Sequence, residues 1–179
     1  MSEYKIASRY AKALFDISSE KGLLDDVKKD IEHMLHLTDS NRDLEMFLES
    51  PLYKMAVKKE AIEKIFASSN EITRNLYSLM ISKYREAYIP AMGRVFLKEF
   101  NKKNQIVSVE VTSAVELNKT VLEQIEAYVL ENTQAKSVEL TTKIDKELMG
   151  GLTVEFDGKI YDNTVVTQIN KFKKELQIA

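Results

Sequence analysis

The chain has 179 residues, enough for one or two compact units with ordinary cores, and its 44% hydrophobic and 30% charged residues are those of a globular protein rather than a disordered chain. Lys+Arg of 26 against Asp+Glu of 28 leave a formal charge of −2, which argues against a nucleic-acid partner; zero Cys excludes disulfides, thiol nucleophiles and Cys-based metal sites, and fits a reducing compartment. No apolar run reaches the roughly 18–20 residues of a bilayer span, and the opening MSEYKIASRYAKALF reads neither as a secretory signal nor as an organelle transit peptide.

In the first hundred residues the apolar spacing is helical, and glycine is confined to Gly22 and Gly93. The pattern predicts helices over roughly 3–21, 23–38, 41–49, 54–68, 71–86 and 88–103. Gly22 suits the left-handed end of the first, and Asn41 and Asp43 open a short helix that Ser50-Pro51 closes. Ser69-Asn70 offers a cap before Glu71, and Ile89-Pro90 places a proline in a first helical turn. Short loops between six helices predict a compact six-helix bundle over residues 1–104, with a boundary near Asn101–Gln105.

The second half, residues 105–179, changes period. Ile106–Thr112 and Val138–Thr142 alternate apolar and polar residues, as half-buried strands do. Between them a helix over 117–133 is expected, opened by Ser113 and Ala114. Asp157-Gly158 between Gly151–Phe156 and Lys159–Tyr161 predicts a hairpin. Asn163 or Thr164 then caps a last helix with Val165, Ile169, Phe172 and Leu176 apolar. Asp145 is expected to cap the turn Lys146–Met149, Gly150 and Gly151 to supply the dihedrals that return the chain into a strand, and Asp162 with Thr164 to cap the last helix. The fold class that follows is α+β, mostly α: a helical N-terminal domain and a small α/β C-terminal one.

Residues that could carry catalysis do not assemble into a motif. His33 and His36 stand at i, i+3 on the second helix with no carboxylate at a zinc-site offset. Gly150-Gly151 has neither the Lys-Ser/Thr of a phosphate loop nor dinucleotide-fold spacing, and no GxSxG elbow occurs. Asp25-Asp26 and Asp30-Glu32 lie among Lys28-Lys29 and read as a solvated charged face. Lys171, Lys173 and Lys174 beside Glu175 are a weak basic cluster. The expectation is a binding or structural protein with no catalytic, cofactor or metal residue.

The first and fifth helices are wider in apolar character than one buried face requires. At about 100° per residue, Ala7, Ala11 and Leu14 form one stripe and Ile6, Tyr10, Ala13 and Ile17 a second beside it, so that with Phe15 the apolar arc spans roughly 200°. On the fifth helix Ile72, Leu76, Leu79 and Met80 read as a core stripe that Tyr77, Ile81, Tyr84 and Tyr88 extend sideways. Two readings stand. Both helices are central and touch neighbours on two sides, or they pair and leave an apolar groove for an amphipathic helix of another protein.

Ala7-x-Arg9-Tyr10-Ala11-x-Ala13-Leu14-Phe15 resembles the opening of the delta subunit of F-type ATP synthases, the family called OSCP in mitochondria. The likeness continues through Phe47-Leu48-x-Ser50-Pro51, Lys58-Lys59, Ile65-Phe66, Asn75-Leu76-x-x-Leu79, Arg85, Ile89-Pro90 and Phe100. It runs on through Val109-x-Val111-x-Ser113-Ala114, Val138-x-Leu140, Ile144-Asp145, Leu148-x-Gly150-Gly151-Leu152, Asp162-x-Thr164 and Ile169, covering nearly the whole chain. Asp162-Asn163-Thr164 stands where the family usually has Asp-Gly-Ser, a chemically equivalent cap.

The resemblance implies a non-catalytic stator subunit without cofactor, present once per complex and monomeric alone. It implies that the N-terminal domain binds the N-terminal helix of an alpha subunit and the C-terminal domain the b subunits of the peripheral stalk. The location it implies is peripheral, on the cytoplasmic face of a bacterial plasma membrane, with no nucleic acid involved. The groove for the alpha helix would use Ile6, Tyr10, Ala13, Ile17, Tyr77, Ile81 and Tyr84, or alternatively Ala7, Ala11 and Leu14 paired with Leu76 and Met80. A helical adaptor of another complex is the alternative function.

Overall fold

A computed structural model of the chain describes residues 3–175. It is mostly helical, with one four-stranded sheet towards the C-terminus, and it divides into two compact units, Met1–Phe100 and Asn101–Ala179. Leu176, read from the sequence as part of the last helix's apolar face, lies outside the described residues, as do the side chains of Lys171, Lys173, Lys174 and Glu175.

The first unit is built from α1 (Glu3–Glu20), α2 (Leu24–Ser40), α3 (Arg42–Glu49), α4 (Met55–Ile65), α5 (Glu71–Ser82) and α6, which begins at Ile89 and runs to Asn104. A 3-10 turn, Glu86–Tyr88, joins α5 to α6. The Asn41 side chain accepts from the backbone N–H of Asp43 and Leu44, and Asn70 from that of Ile72, satisfying donors that the first helical turns leave open. Ala7, Ala11 and Leu14 of α1 meet Val27, Ile31 and Met34 of α2, Tyr77 and Met80 of α5, and Met92 and Phe96 of α6 in one core. Gly93 permits that closeness: a Cβ there would lie 2.7 Å from Met34 Cε and 3.2 Å from Ile31 Cγ2.

Two helix ends differ from the pattern-based expectation. The fourth helix stops at Ile65 rather than near residue 68, and the fifth at Ser82 rather than 86. The second case has a clear cause. Tyr84 takes a left-handed conformation (φ 56°), its N–H donating to the Ile81 carbonyl (3.0 Å) while the Arg85 N–H donates to Met80 (2.9 Å). That pair of bonds is a Schellman cap, which closes the helix and turns the chain.

In the second unit the strands are β1 (Ile106–Ser113), β2 (Ser137–Ile144), β3 (Leu152–Phe156) and β4 (Lys159–Asp162), in the spatial order β2-β1-β3-β4. β1 and β2 are parallel, with Val109 opposite Leu140, and α7 (Lys119–Asn132) makes the crossover that parallel pairing demands. β3 runs antiparallel to β1 and forms the hairpin with β4. Alternation places Val109, Val111, Val154 and Phe156 against Ile125 and Val129 of α7. The residues expected to open this helix, Ser113 and Ala114, do not. Ser113 ends β1 and donates to the Val115 carbonyl, and Asn118 caps α7 by accepting from Val121 N–H at 2.9 Å.

Between β2 and β3 the Asp145 carboxylate accepts from Glu147 N–H (2.9 Å) at the start of a 3-10 turn, Lys146–Leu148. Met149 (φ 57°) and Gly151 (φ 81°) are left-handed, and Gly150 receives the Val165 N–H on its carbonyl. α8 (Val165–Glu175) starts there. Asp162 Oδ1 accepts from Thr164 N–H, Asp162 Oδ2 from the Thr167 hydroxyl, and the buried Thr164 Oγ1 from Thr167 N–H.

Candidate functional site

The α1 arc resolves into a buried and a surface stripe. Ala7, Ala11, Leu14 and Ser18 are enclosed, and Phe15 on the next flank packs its ring 6.0 Å from Phe96. This corrects the runner-up stripe: Ala7, Ala11 and Leu14 are core and offer nothing to a partner. Beside them Ile6 and Tyr10 are partly buried, while Ala13 and Ile17 (44% exposed) face solvent.

On α5 the expected half of the groove is interior. Leu76, Tyr77, Met80 and Ile81 are all buried, and Leu79, expected in the core, is 46% exposed. The reason is that α5 packs against α1, α2 and α4, so neighbours cover both its stripes. Tyr77 sets its ring 5.3 Å from Phe66. Burial first, and then the charge of Asp30, hold its phenol well above the ordinary tyrosine range. It is a neutral core residue. Of the α5 candidates only Tyr84, 76% exposed, stays at the surface.

What reaches α1 from this side is Arg85. Its Nη1 donates to Tyr10 Oη at 2.9 Å, and the guanidinium carbon lies 5.7 Å from the Tyr10 ring centroid. The next residue, Glu86, turns inward. Lys58 of α4, 2% exposed, donates from Nζ to Glu86 Oε1 (2.6 Å) and to the Leu48 carbonyl at the end of α3 (2.8 Å). The ion pair thus ties α3 and α4 to the turn that carries Tyr84 and Arg85.

Sequence reasoning missed this pair. A signal was present, because Met55, Lys58 and Ile62 share one helix face, so the lysine interrupts an apolar stripe. Left-handed Tyr84 sits where caps favour glycine, at a cost of about 1 kcal/mol. Replacing Tyr84 by Gly should raise stability by about that amount. Urea unfolding monitored by circular dichroism checks it, and a lower midpoint would show that the Tyr84 side chain holds the cap.

The histidines and carboxylates considered for chemistry are dispersed. His33 and His36 are exposed, and among the described residues no group of three or more His, Asp or Glu could hold a metal. Asp30 accepts from Asn70 N–H (2.7 Å) and Thr73 Oγ1 (2.8 Å), fixing α2 to the start of α5, and Glu32 pairs with Lys28. In the second unit α8 presents Val165, Ile169 and Phe172 (65% exposed) at i, i+4, i+7. Ile144 and Met149, also exposed, belong to the segment leading into the same turn.

The fold is α+β, mostly α, and each compact unit leaves apolar helix residues exposed, Ala13 and Ile17 on α1 and Val165, Ile169 and Phe172 on α8. The family model described as ATP synthase delta (OSCP) subunit matches residues 6–176, and the chain belongs to that family. It is a non-catalytic component of the peripheral stalk of F-type ATP synthase. The ATP synthase subunit delta of Carboxydothermus hydrogenoformans is 31% identical over 98% of this chain and 99% of its own length. That of a Nostoc species is 30% identical over 96% and 94%. A chain in the cryo-EM structure of the Toxoplasma gondii mitochondrial ATP synthase hexamer shares the fold, with TM-score 0.74 at 16% identity over 97% of this chain and 98% of that one. ATP synthase is membrane-associated, and no described helix here is long and apolar enough to cross a membrane.

Proposed function

We propose that the first unit, a six-helix bundle within residues 1–104, binds the N-terminal helix of the alpha subunit, and that the second, within 105–179, binds the b subunits. One copy of the chain then links the catalytic head to the stalk on the cytoplasmic face of a bacterial plasma membrane and resists rotor torque. The observation that carries the reading is the stripe Ile6, Tyr10, Ala13 and Ile17 on α1, its first two residues half-buried and its last two exposed, with Arg85 reaching Tyr10. An amphipathic helix laid along it would cover apolar area that the core leaves bare. The α8 stripe gives the second unit an equivalent surface. Because one chain carries both surfaces, release at one end leaves it held at the other, and rebinding proceeds at the effective concentration of the tethered unit.

The test uses two probes, a synthetic peptide of the alpha N-terminus and a soluble fragment of the b stalk. Tyr10→Asp places a charge in the α1 stripe and is expected to cost peptide binding more than ~2 kcal/mol while leaving b binding unchanged. Phe172→Asp is expected to do the reverse. Folded variants whose two affinities both match the parent would refute the assignment.

A further inference from the structure

Arg85 is a partly buried cation whose described contacts are both with a neutral group, the hydroxyl and the ring of Tyr10. Three cations of this unit show the usual arrangement, facing carboxylates: Lys58 meets Glu86, Lys28 meets Glu32 and Arg94 meets Asp39. Among the described residues no carboxylate lies within ion-pair distance of Arg85. Its neighbour Glu86 is turned to Lys58. A guanidinium has five donors in a planar fork, and Tyr10 takes one of them. Partial burial strips water from the charge without supplying a counter-ion, an arrangement that favours an incoming anion.

We propose that Arg85 is the charged anchor of the α1 stripe, and that the helix docking there carries an Asp or Glu at the edge of its apolar face to meet it. The inference rests on the helix-docking reading above and adds the chemistry of the partner. Tyr10 forms the floor of this contact. Its ring supports the guanidinium face and its hydroxyl occupies Nη1, leaving the remaining N–H groups for a carboxylate in a two-bond geometry that lysine cannot reproduce. Ile6, Ala13 and Ile17 along the same stripe supply the apolar contact, while the ion pair fixes the register of the incoming helix. The Lys58–Glu86 pair and the Schellman cap at Tyr84 hold the backbone that carries the anchor.

The experiment is a calorimetric titration of the full chain with the synthetic alpha N-terminal peptide at several salt concentrations. Arg85→Met is expected to weaken binding about 10- to 100-fold at low salt and to flatten its salt dependence. Arg85→Lys, which keeps charge and loses the fork, should recover part of the affinity. Tyr10→Phe removes the hydrogen bond but keeps the ring, and should lose far less than Arg85→Met. In the peptide, changing each Asp to Asn and each Glu to Gln in turn should reveal one position whose loss disappears on the Arg85→Met background. The peptide scan on the parent needs no change to the chain, and should Arg85→Met fold poorly the same cycle is read on Arg85→Lys, where the effect of that position should shrink. If the parent binds the peptide and no acidic position matters, or if Arg85→Met binds with the same affinity and salt slope, the anchor is refuted while the docking surface stands. A parent chain that does not bind the peptide refutes both.

Discussion

Lys58→Met is expected to destabilise the first unit by about 3–5 kcal/mol, the cost of leaving one partner of a buried ion pair uncompensated. Lys58 Nζ is the hydrogen-bond donor to Glu86 Oε1, while Oε2 of the same carboxylate is buried without a partner. Methionine fills the volume of the lysine stem and supplies no donor. The Leu48 carbonyl at the end of α3 would also lose its contact with Nζ. The double variant Lys58→Met, Glu86→Met removes both charges together and should regain most of the loss, because two desolvated ions are then replaced by apolar contacts. Urea unfolding of the parent, both single variants and the double variant gives the coupling directly. A single-variant cost below about 1 kcal/mol would show that water reaches the pair and that it behaves as a surface bridge. Since the pair holds the turn before α6, Lys58→Met should also weaken binding of the alpha peptide.

Gly151→Val is expected to destabilise the second unit by upwards of about 3 kcal/mol, through a clash and a strained dihedral at one position. Gly151 has φ 81°, and a Cβ there would stand 2.3 Å from the Asn163 carbonyl oxygen and 2.8 Å from Thr164 Cα. Both are backbone atoms, so no rotamer change relieves the overlap. Relief would push the Asp162–Thr164 segment away from the glycine turn, breaking the Val165 N–H bond to Gly150 and disturbing the cap of α8. Binding of the b fragment should fall with stability, while the first unit keeps its affinity for the alpha peptide. Hydrogen exchange resolved by unit separates these effects. Lost b binding with full protection in the second unit would mean instead that the glycine touches the partner.

Local chemistry was legible wherever the physical cause is itself local. The 3.6-residue apolar period marked helices in the first hundred residues, and alternation marked β1 and β2 after Ile106. Asn41 and Asn70 announced helix starts, and Asp157-Gly158 announced the β3–β4 hairpin, because a cap or tight turn is settled within a few residues. The order of motifs from Ala7 to Ile169 was specific enough to indicate the family. Periodicity also showed that α1 and α5 are apolar on more than one side.

It could not show which side has a neighbour, because apolar pattern records a preference for burial and not the surface that satisfies it. Only the packing of α5 against α1, α2 and α4 decided that Tyr77 and Ile81 are core while Leu79 is exposed, and that on the second α1 stripe Ile6 and Tyr10 are half-buried while Ala13 and Ile17 face solvent. The Lys58–Glu86 pair spans 28 positions and the Arg85–Tyr10 contact 75. Long-range pairs like these exist only once distant segments share a core, since the desolvation and geometry that give a buried charge its partner are properties of the assembled fold.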